Sequence, residues 1–107
     1  MLEGVIVVFT YVTSLNGPRA GSNFVLEDGA DNPIGRGTDC HIVLSDPLCS
    51  RVHAKFVYRD GGWWLLDAES RNGTFVNQQK VDEAQLSEGC RIRLGSSEFS
   101  LDRKSVV

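Results

Sequence analysis

Apolar and polar residues alternate along short stretches of this chain, and almost nowhere at the spacing of a helix. No window of eleven or more residues keeps apolar side chains at i, i+3, i+4 and i+7 without a glycine or proline breaking it. Strand signals recur instead. Residues 4–13 are rich in Val, Ile, Phe, Tyr and Thr, and 22–27 form a short run bounded by Gly21 and Asp28-Gly29. His41–Leu44 is closed by Ser45-Asp46-Pro47. Over 52–59, Val52, Ala54, Phe56 and Tyr58 alternate with His53, Lys55 and Arg59. Asp60-Gly61-Gly62 predicts a tight turn into Trp63–Leu66, hence a hairpin in which adjacent Trp63 and Trp64 face opposite ways. Thr74–Val76 is a short strand, and Gly35-Arg36-Gly37 ends another. Cys90, Ile92 and Leu94 alternate with Arg91 and Arg93, and Gly95-Ser96-Ser97 turns that strand into 98–102, where Phe99 and Leu101 share a face. The pattern predicts an all-β protein, a β-sandwich of about ten short antiparallel strands. It occupies residues 1–102 as one domain, with 103–107 as a frayed tail or the start of a linker, which makes the chain a candidate module of something longer.

At 107 residues the chain can bury a core without staples. Eleven Lys and Arg against 14 Asp and Glu give a net charge of −3, which argues against a general nucleic-acid or membrane-surface role. The run Val5–Phe9 is too short to span a bilayer and lacks the basic front and small-residue cleavage site of a secretory signal. Three cysteines, Cys40, Cys49 and Cys90, cannot all pair internally. Free, mostly buried thiols in a cytoplasmic setting are the expectation. Their spacing with His41 and His53 fits no zinc finger or ribbon, and nothing in the sequence asks for a cofactor.

Against that acidic background, three arginines fall in segments read as loops. They are Arg36, then Arg51 in Ser50-Arg51-Val52-His53, then Arg71 in Ser70-Arg71-Asn72-Gly73-Thr74. All three segments are strand ends, so one end of a sandwich can present them together. Arg supplies a planar fork of donors, Ser a hydroxyl, and Asn both a donor and an acceptor for an extended peptide backbone. That set suits a phosphate monoester, with its charge of about −1.5 to −2 and three acceptor oxygens.

The order and spacing of several segments resemble those of the forkhead-associated (FHA) domain family. These are Ile34-Gly35-Arg36, Leu44-Ser45-Asp46 leading to Ser50–His53, Asp67 with Ser70–Asn77, and Leu86, Gly89, Ile92 and Leu94-Gly95. The resemblance spans about Gly21 to Leu101. It implies an eleven-stranded sandwich of the FHA/SMAD-like kind that binds phosphothreonine peptides through loops at one end. On that resemblance Arg36 and Ser50 contact the phosphate, and Arg51 faces the phosphopeptide. Arg71 and Asn72 contact the peptide, Asn72 beside the phosphothreonine main chain. His53 braces the loop, and Gly35 and Gly73 are structural. Arg71 departs from the small polar residue that family members often carry there. The partner implied is a Thr-phosphorylated protein or peptide, with a Ser/Thr kinase upstream.

Plainer readings stand beside these. Gly35 and Gly73 are expected to supply positive φ in turns and to bind nothing. Thr74 supports a turn, and the Asn72-Gly73-Thr74 sequon has no role in the cytoplasm. The rival from another class is a small hydrolase with Ser50 as nucleophile, His53 as base and Asp67 as orienter. Ser50 lies in Leu48-Cys49-Ser50-Arg51-Val52, which is no Gly-x-Ser-x-Gly elbow. A phospho-independent interaction domain is the third reading.

Overall fold

The computed structural model describes Gly4 and residues 6–106, and these contain no helix. Eleven strands form in chain order: β1 (Val7–Ser14), β2 (Asn23–Val25), β3 (Asn32–Gly35), β4 (Ile42–Val43), β5 (Ala54–Arg59) and β6 (Gly62–Asp67), then β7 (Thr74–Val76), β8 (Gln79–Val81), β9 (Glu83–Gln85), β10 (Arg91–Leu94) and β11 (Ser97–Val106). They make a six-stranded sheet, β2-β1-β11-β10-β7-β8, and a five-stranded sheet, β4-β3-β5-β6-β9. The alternation in β10 does what period two dictates: Ile92 and Leu94 are buried while Arg91 and Arg93 face solvent. Val12, Ile92, Leu94, Phe99 and Leu101 from one sheet meet Ile34, Ala54, Phe56, Trp63 and Leu65 from the other to form the core.

Register places the loops. β5 pairs with β6 from Ala54↔Asp67 to Arg59↔Gly62, closed by Asp60 and Gly61 at φ 52° and 76°. Two central residues at positive φ make the type I′ turn that matches strand twist. Ile34↔Ala54, Ala54↔Asp67, Leu94↔Thr74 and Ser14↔Phe99 put the C-terminal ends of β3, β6 and β10 beside the starts of β5, β7 and β11. The β1–β2, β3–β4, β4–β5, β6–β7 and β10–β11 connections therefore share one pole. The Asp60-Gly61 turn and the open ends of β1 and β11 lie at the other.

Three expectations are corrected. The pair β3–β4 is parallel, with Ile34↔Ile42 and Gly35↔Val43, because the loop from Arg36 to His41 doubles back before β4. The strand expected from Val52 starts at Ala54: the chain turns through Ser50–His53, so Val52 is exposed and His53 fully buried. Arg103–Val106 is no frayed tail. These residues continue β11, opposite Thr10 to Val7 of β1, as a two-stranded ribbon whose outer half is exposed in a molecule of 54 × 30 × 26 Å. Val107 and the start of the 4–13 run lie partly outside the described residues.

Asn32 is an unforeseen anchor. Fully buried, it accepts from Glu27 N–H at 2.9 Å and donates to Glu27 O and Phe56 O, both at 3.0 Å. A truncated side chain here strands buried peptide groups. Asn32→Ala is expected to lower unfolding free energy by about 2–4 kcal/mol. Urea denaturation checks this, and a loss below about 0.5 kcal/mol overturns the anchoring role.

Candidate functional site

The loop-bearing pole holds every residue that the sequence singled out for binding. Arg36 leaves β3 with its N–H donating to Ser50 O at 3.1 Å and its Nε to Cys49 O. Its backbone and one guanidinium nitrogen are thus fixed, and its two terminal nitrogens have no partner among the described residues. Gly35 makes this approach possible. A Cβ there would lie 2.8 Å from Ser50 O and closer still to Arg51 O. Gly35 does not take positive φ, which corrects the turn expectation; Gly73 does, at 88°.

Ser50 is held from three sides. Its N–H donates to His53 Nδ1 at 3.0 Å, its carbonyl accepts from Arg36, and its Oγ accepts the Arg71 N–H at 3.0 Å. The hydroxyl proton is left to donate outward. Asn72 Nδ2 donates to Leu48 O at 2.8 Å, so its carbonyl oxygen faces no partner among the described residues. Arg51 and Arg71 are exposed, and neither side chain makes an ion pair among the described residues.

His53 has no exposure at all and ties two loops together. Because an amide can only donate, Nδ1 is the acceptor from Ser50. Nε2 therefore carries the hydrogen and donates to Gly73 O at 2.9 Å. Both ring nitrogens are committed to backbone. The Ser50-His53-Asp67 hydrolase arrangement is thereby corrected: Ser50 Oγ meets Arg71 N–H and not the imidazole. Asp67 instead accepts the Ser70 hydroxyl, Ser70 N–H at 3.1 Å and Thr74 Oγ1–H at 2.7 Å. Burial alone would raise the Asp67 pKa; the hydrogen bonds from Ser70 and Thr74 outweigh it and hold the carboxyl below its usual range. Asp67 and buried Thr74 thus shape the β6–β7 loop from within, and Ser70 Oγ accepts the Gly73 N–H at 3.0 Å. The neighbouring Cys49 thiol is pushed up to about 12 by burial and by the Asp46 carboxylate, which leaves it inert. Cys40, Cys49 and Cys90 are all free and buried.

The residue that sequence reasoning missed is Asp46. Its Oδ1 accepts Leu48 N–H at 2.9 Å, and its Oδ2 accepts Ser96 N–H, Ser96 Oγ–H and Ser97 Oγ–H, each at 2.8 Å. One carboxylate clamps the β4–β5 loop to the β10–β11 turn. Gly95, at φ 59°, is required beneath it, since a Cβ would lie 2.9 Å from Asp46 Oδ2. The cue in the sequence was Asp46 within the family-like Leu44-Ser45-Asp46, but its partners lie fifty positions away. Burial raises the carboxyl pKa, and the hydrogen bonds from Leu48, Ser97 and Ser96 overcome that to bring it down to about 2.

Comparison with known proteins follows the same lines. The model of the FHA domain matches residues 32–95. The chain is similar to the glycogen accumulation regulator GarA of Mycolicibacterium smegmatis, 42% identical over 79 residues that cover 74% of this chain and 49% of that protein. It is also similar to the oxoglutarate dehydrogenase inhibitor of Corynebacterium diphtheriae, 38% identical over 79 residues covering 74% and 54%. The chain spans about half the length of these curated relatives. A solved structure from work on phosphothreonine-dependent FHA domain interactions superposes with a TM-score of 0.81 at 35% identity, covering 88% of this chain and 95% of that one.

Two outcomes are expected. A carboxyl whose folded pKa is depressed stabilises fully above its unfolded value near 4, and that contribution fades as pH falls toward about 2. Asp46→Asn should therefore cost roughly 2 kcal/mol at pH 7, and the gap to wild type should close on acidification, read from urea midpoints at each pH. His53→Ala should lower thermal stability by about 2–3 kcal/mol, since Ser50 N–H and Gly73 O lose their buried partner. A melting temperature equal to wild type would refute the bracing role.

Proposed function

Because the chain belongs to the FHA domain family, we propose that it is a non-catalytic module that binds phosphothreonine peptides through the loops of one pole. One observation carries this reading. The backbone and supporting groups around Ser50 are hydrogen-bonded internally, while the Arg36 terminal nitrogens and the Ser50 hydroxyl proton have no partner among the described residues. Donors held at fixed spacing and aimed outward on an acidic protein match a dianionic phosphoryl group. Asn72, anchored by its amide nitrogen to Leu48 O, offers its carbonyl to the peptide backbone beside the phosphothreonine. Arg51 and Arg71 add positive potential at the rim. His53, Gly35, Gly73 and Thr74 build the loops and touch no ligand.

The mechanism is static. Loops already in place lose little conformational entropy on binding, so the charge-assisted bonds translate into affinity. The module would recruit a partner phosphorylated by a Ser/Thr kinase, in keeping with relatives that are named as a regulator and an inhibitor. Three buried free thiols favour a reducing, cytoplasmic setting.

Arg36→Ala and Ser50→Ala should each cost about 1.5–3 kcal/mol in affinity for a phosphothreonine peptide, measured by calorimetry against the unphosphorylated control. Each change also removes one loop hydrogen bond, from Arg36 Nε to Cys49 O or from Arg71 N–H to Ser50 Oγ, so the melting temperature should fall by a few degrees while the domain stays folded. Equal phosphopeptide binding by wild type and Arg36→Ala would sink the assignment of the pocket.

A further inference from the structure

At the same pole, between the β1–β2 loop and the first residues of the β4–β5 loop, lies a cleft of about 480 Å³ that Ser50 does not line. Asn16 and Arg19 of the β1–β2 loop line it, with Ser45, Asp46 and Pro47 of the β4–β5 loop and Ser96 of the β10–β11 turn. Arg19 is held in place there. Its Nη1 donates to Val43 O at 2.8 Å, its guanidinium carbon lies 4.9 Å from the Phe24 ring centroid, and its carbonyl accepts Ser22 N–H at 2.9 Å. Its remaining guanidinium N–H groups have no partner among the described residues. The ion pairs found there, Lys55–Asp31 and Arg59–Glu83, do not involve it.

The other polar groups of the cleft are already engaged. Asp46 is the one carboxylate lining it, and its oxygens take four internal donors. Asn16 donates to Ser96 O at 2.9 Å and accepts Glu98 N–H at 3.0 Å. What stays open is a fixed guanidinium and the exposed Ser45 hydroxyl, while the one carboxylate of the lining is saturated by internal donors. Such a set selects an anion. Ser45 and Ser50 are five residues apart, a span of at most about 18 Å. A peptide anchored at Ser50 needs about five extended residues or fewer to reach the cleft.

We propose that this cleft is a second anion subsite, in which Arg19 reads a carboxylate or a second phosphoryl group carried by the bound peptide near its phosphothreonine. The inference rests on the phosphopeptide reading above. It adds a specificity-determining residue from the β1–β2 loop, outside the set that grips the phosphothreonine.

The test uses fluorescence anisotropy with three kinds of phosphothreonine peptide. One is neutral at every flanking position. In the second set a single Asp is stepped through the flanking positions on either side. In the third, phosphoserine replaces Asp at the best position. Wild type should gain about threefold to tenfold in affinity at one or two adjacent Asp positions. Arg19→Gln should bind the neutral peptide as wild type does and lose that gain. A further rise with phosphoserine, also lost in Arg19→Gln, identifies a second phosphate as the preferred anion; no further rise identifies a carboxylate. The subsite is overturned if no position gains, or if the gain survives in an Arg19→Gln protein of unchanged melting temperature. Those results leave neutral-peptide binding intact, so the pocket reading survives them. Failure of the neutral phosphothreonine peptide to bind wild type overturns both.

Discussion

One imidazole holds the binding pole together. His53 sits without solvent exposure between the β4–β5 loop, which stays within the five-stranded sheet, and the β6–β7 loop, which crosses to the six-stranded one, and spends one ring nitrogen on each. The Ser50 N–H and the Gly73 carbonyl are otherwise peptide groups with no ladder to join, buried where an unmet donor or acceptor costs about 1–3 kcal/mol. Neutral histidine is suited to the task, since it presents one acceptor and one donor on opposite sides of a rigid ring. With that bridge in place, Ser50 Oγ falls where Arg71 N–H can meet it, and the serine hydroxyl is aimed by its surroundings and not by its own rotamer choice.

Two carboxylates extend the same logic. Asp67 organises the β6–β7 loop internally through Ser70 and Thr74, and Asp46 fastens the β4–β5 loop to the β10–β11 turn. Both are held below the ordinary carboxylate range by the donors that surround them, against the opposing effect of burial. Their charges are therefore turned inward, and the arginines at the rim meet solvent without an acidic neighbour in ion-pair range among the described residues. An acidic chain thus presents a locally cationic surface because its critical acids are saturated from within.

Much of the fold was legible because burial enforces period two. The strands β1, β5, β6, β10 and β11 announce themselves through alternation or aromatic content, and Asp60-Gly61 marks its hairpin. The strands β8 and β9 do not: Gln79-Lys80-Val81 and Glu83-Ala84-Gln85 are polar edge segments, paired by register with β7 and β6 and not by any apolar face of their own. The parallel pairing of β3 with β4 follows from the path of a loop, which local pattern does not encode. That Arg36, Ser50, Asn72 and His53 gather at one pole was readable from motif order. The reason for Gly35 was not, because close approach of Ser50 and Arg51 is a tertiary fact. The clamp formed by Asp46 and the anchor formed by Asn32 were hidden for the same reason: their partners are set by packing. The outer half of β11 was misread because Arg103-Lys104-Ser105 looks like a solvated end until β1 is laid beside it.

The ribbon of β1 and β11 opens at the pole opposite the loops, in a molecule 54 Å long. Any polypeptide joined to either strand thus departs facing away from the pocket. To fold back and occupy the pocket of its own domain, such a tether must cover the long dimension, about fifteen residues fully stretched and more if it coils. A shorter tether cannot reach the loop-bearing pole of its own domain, so the direction of the ribbon sets a minimum length for any contact of that kind.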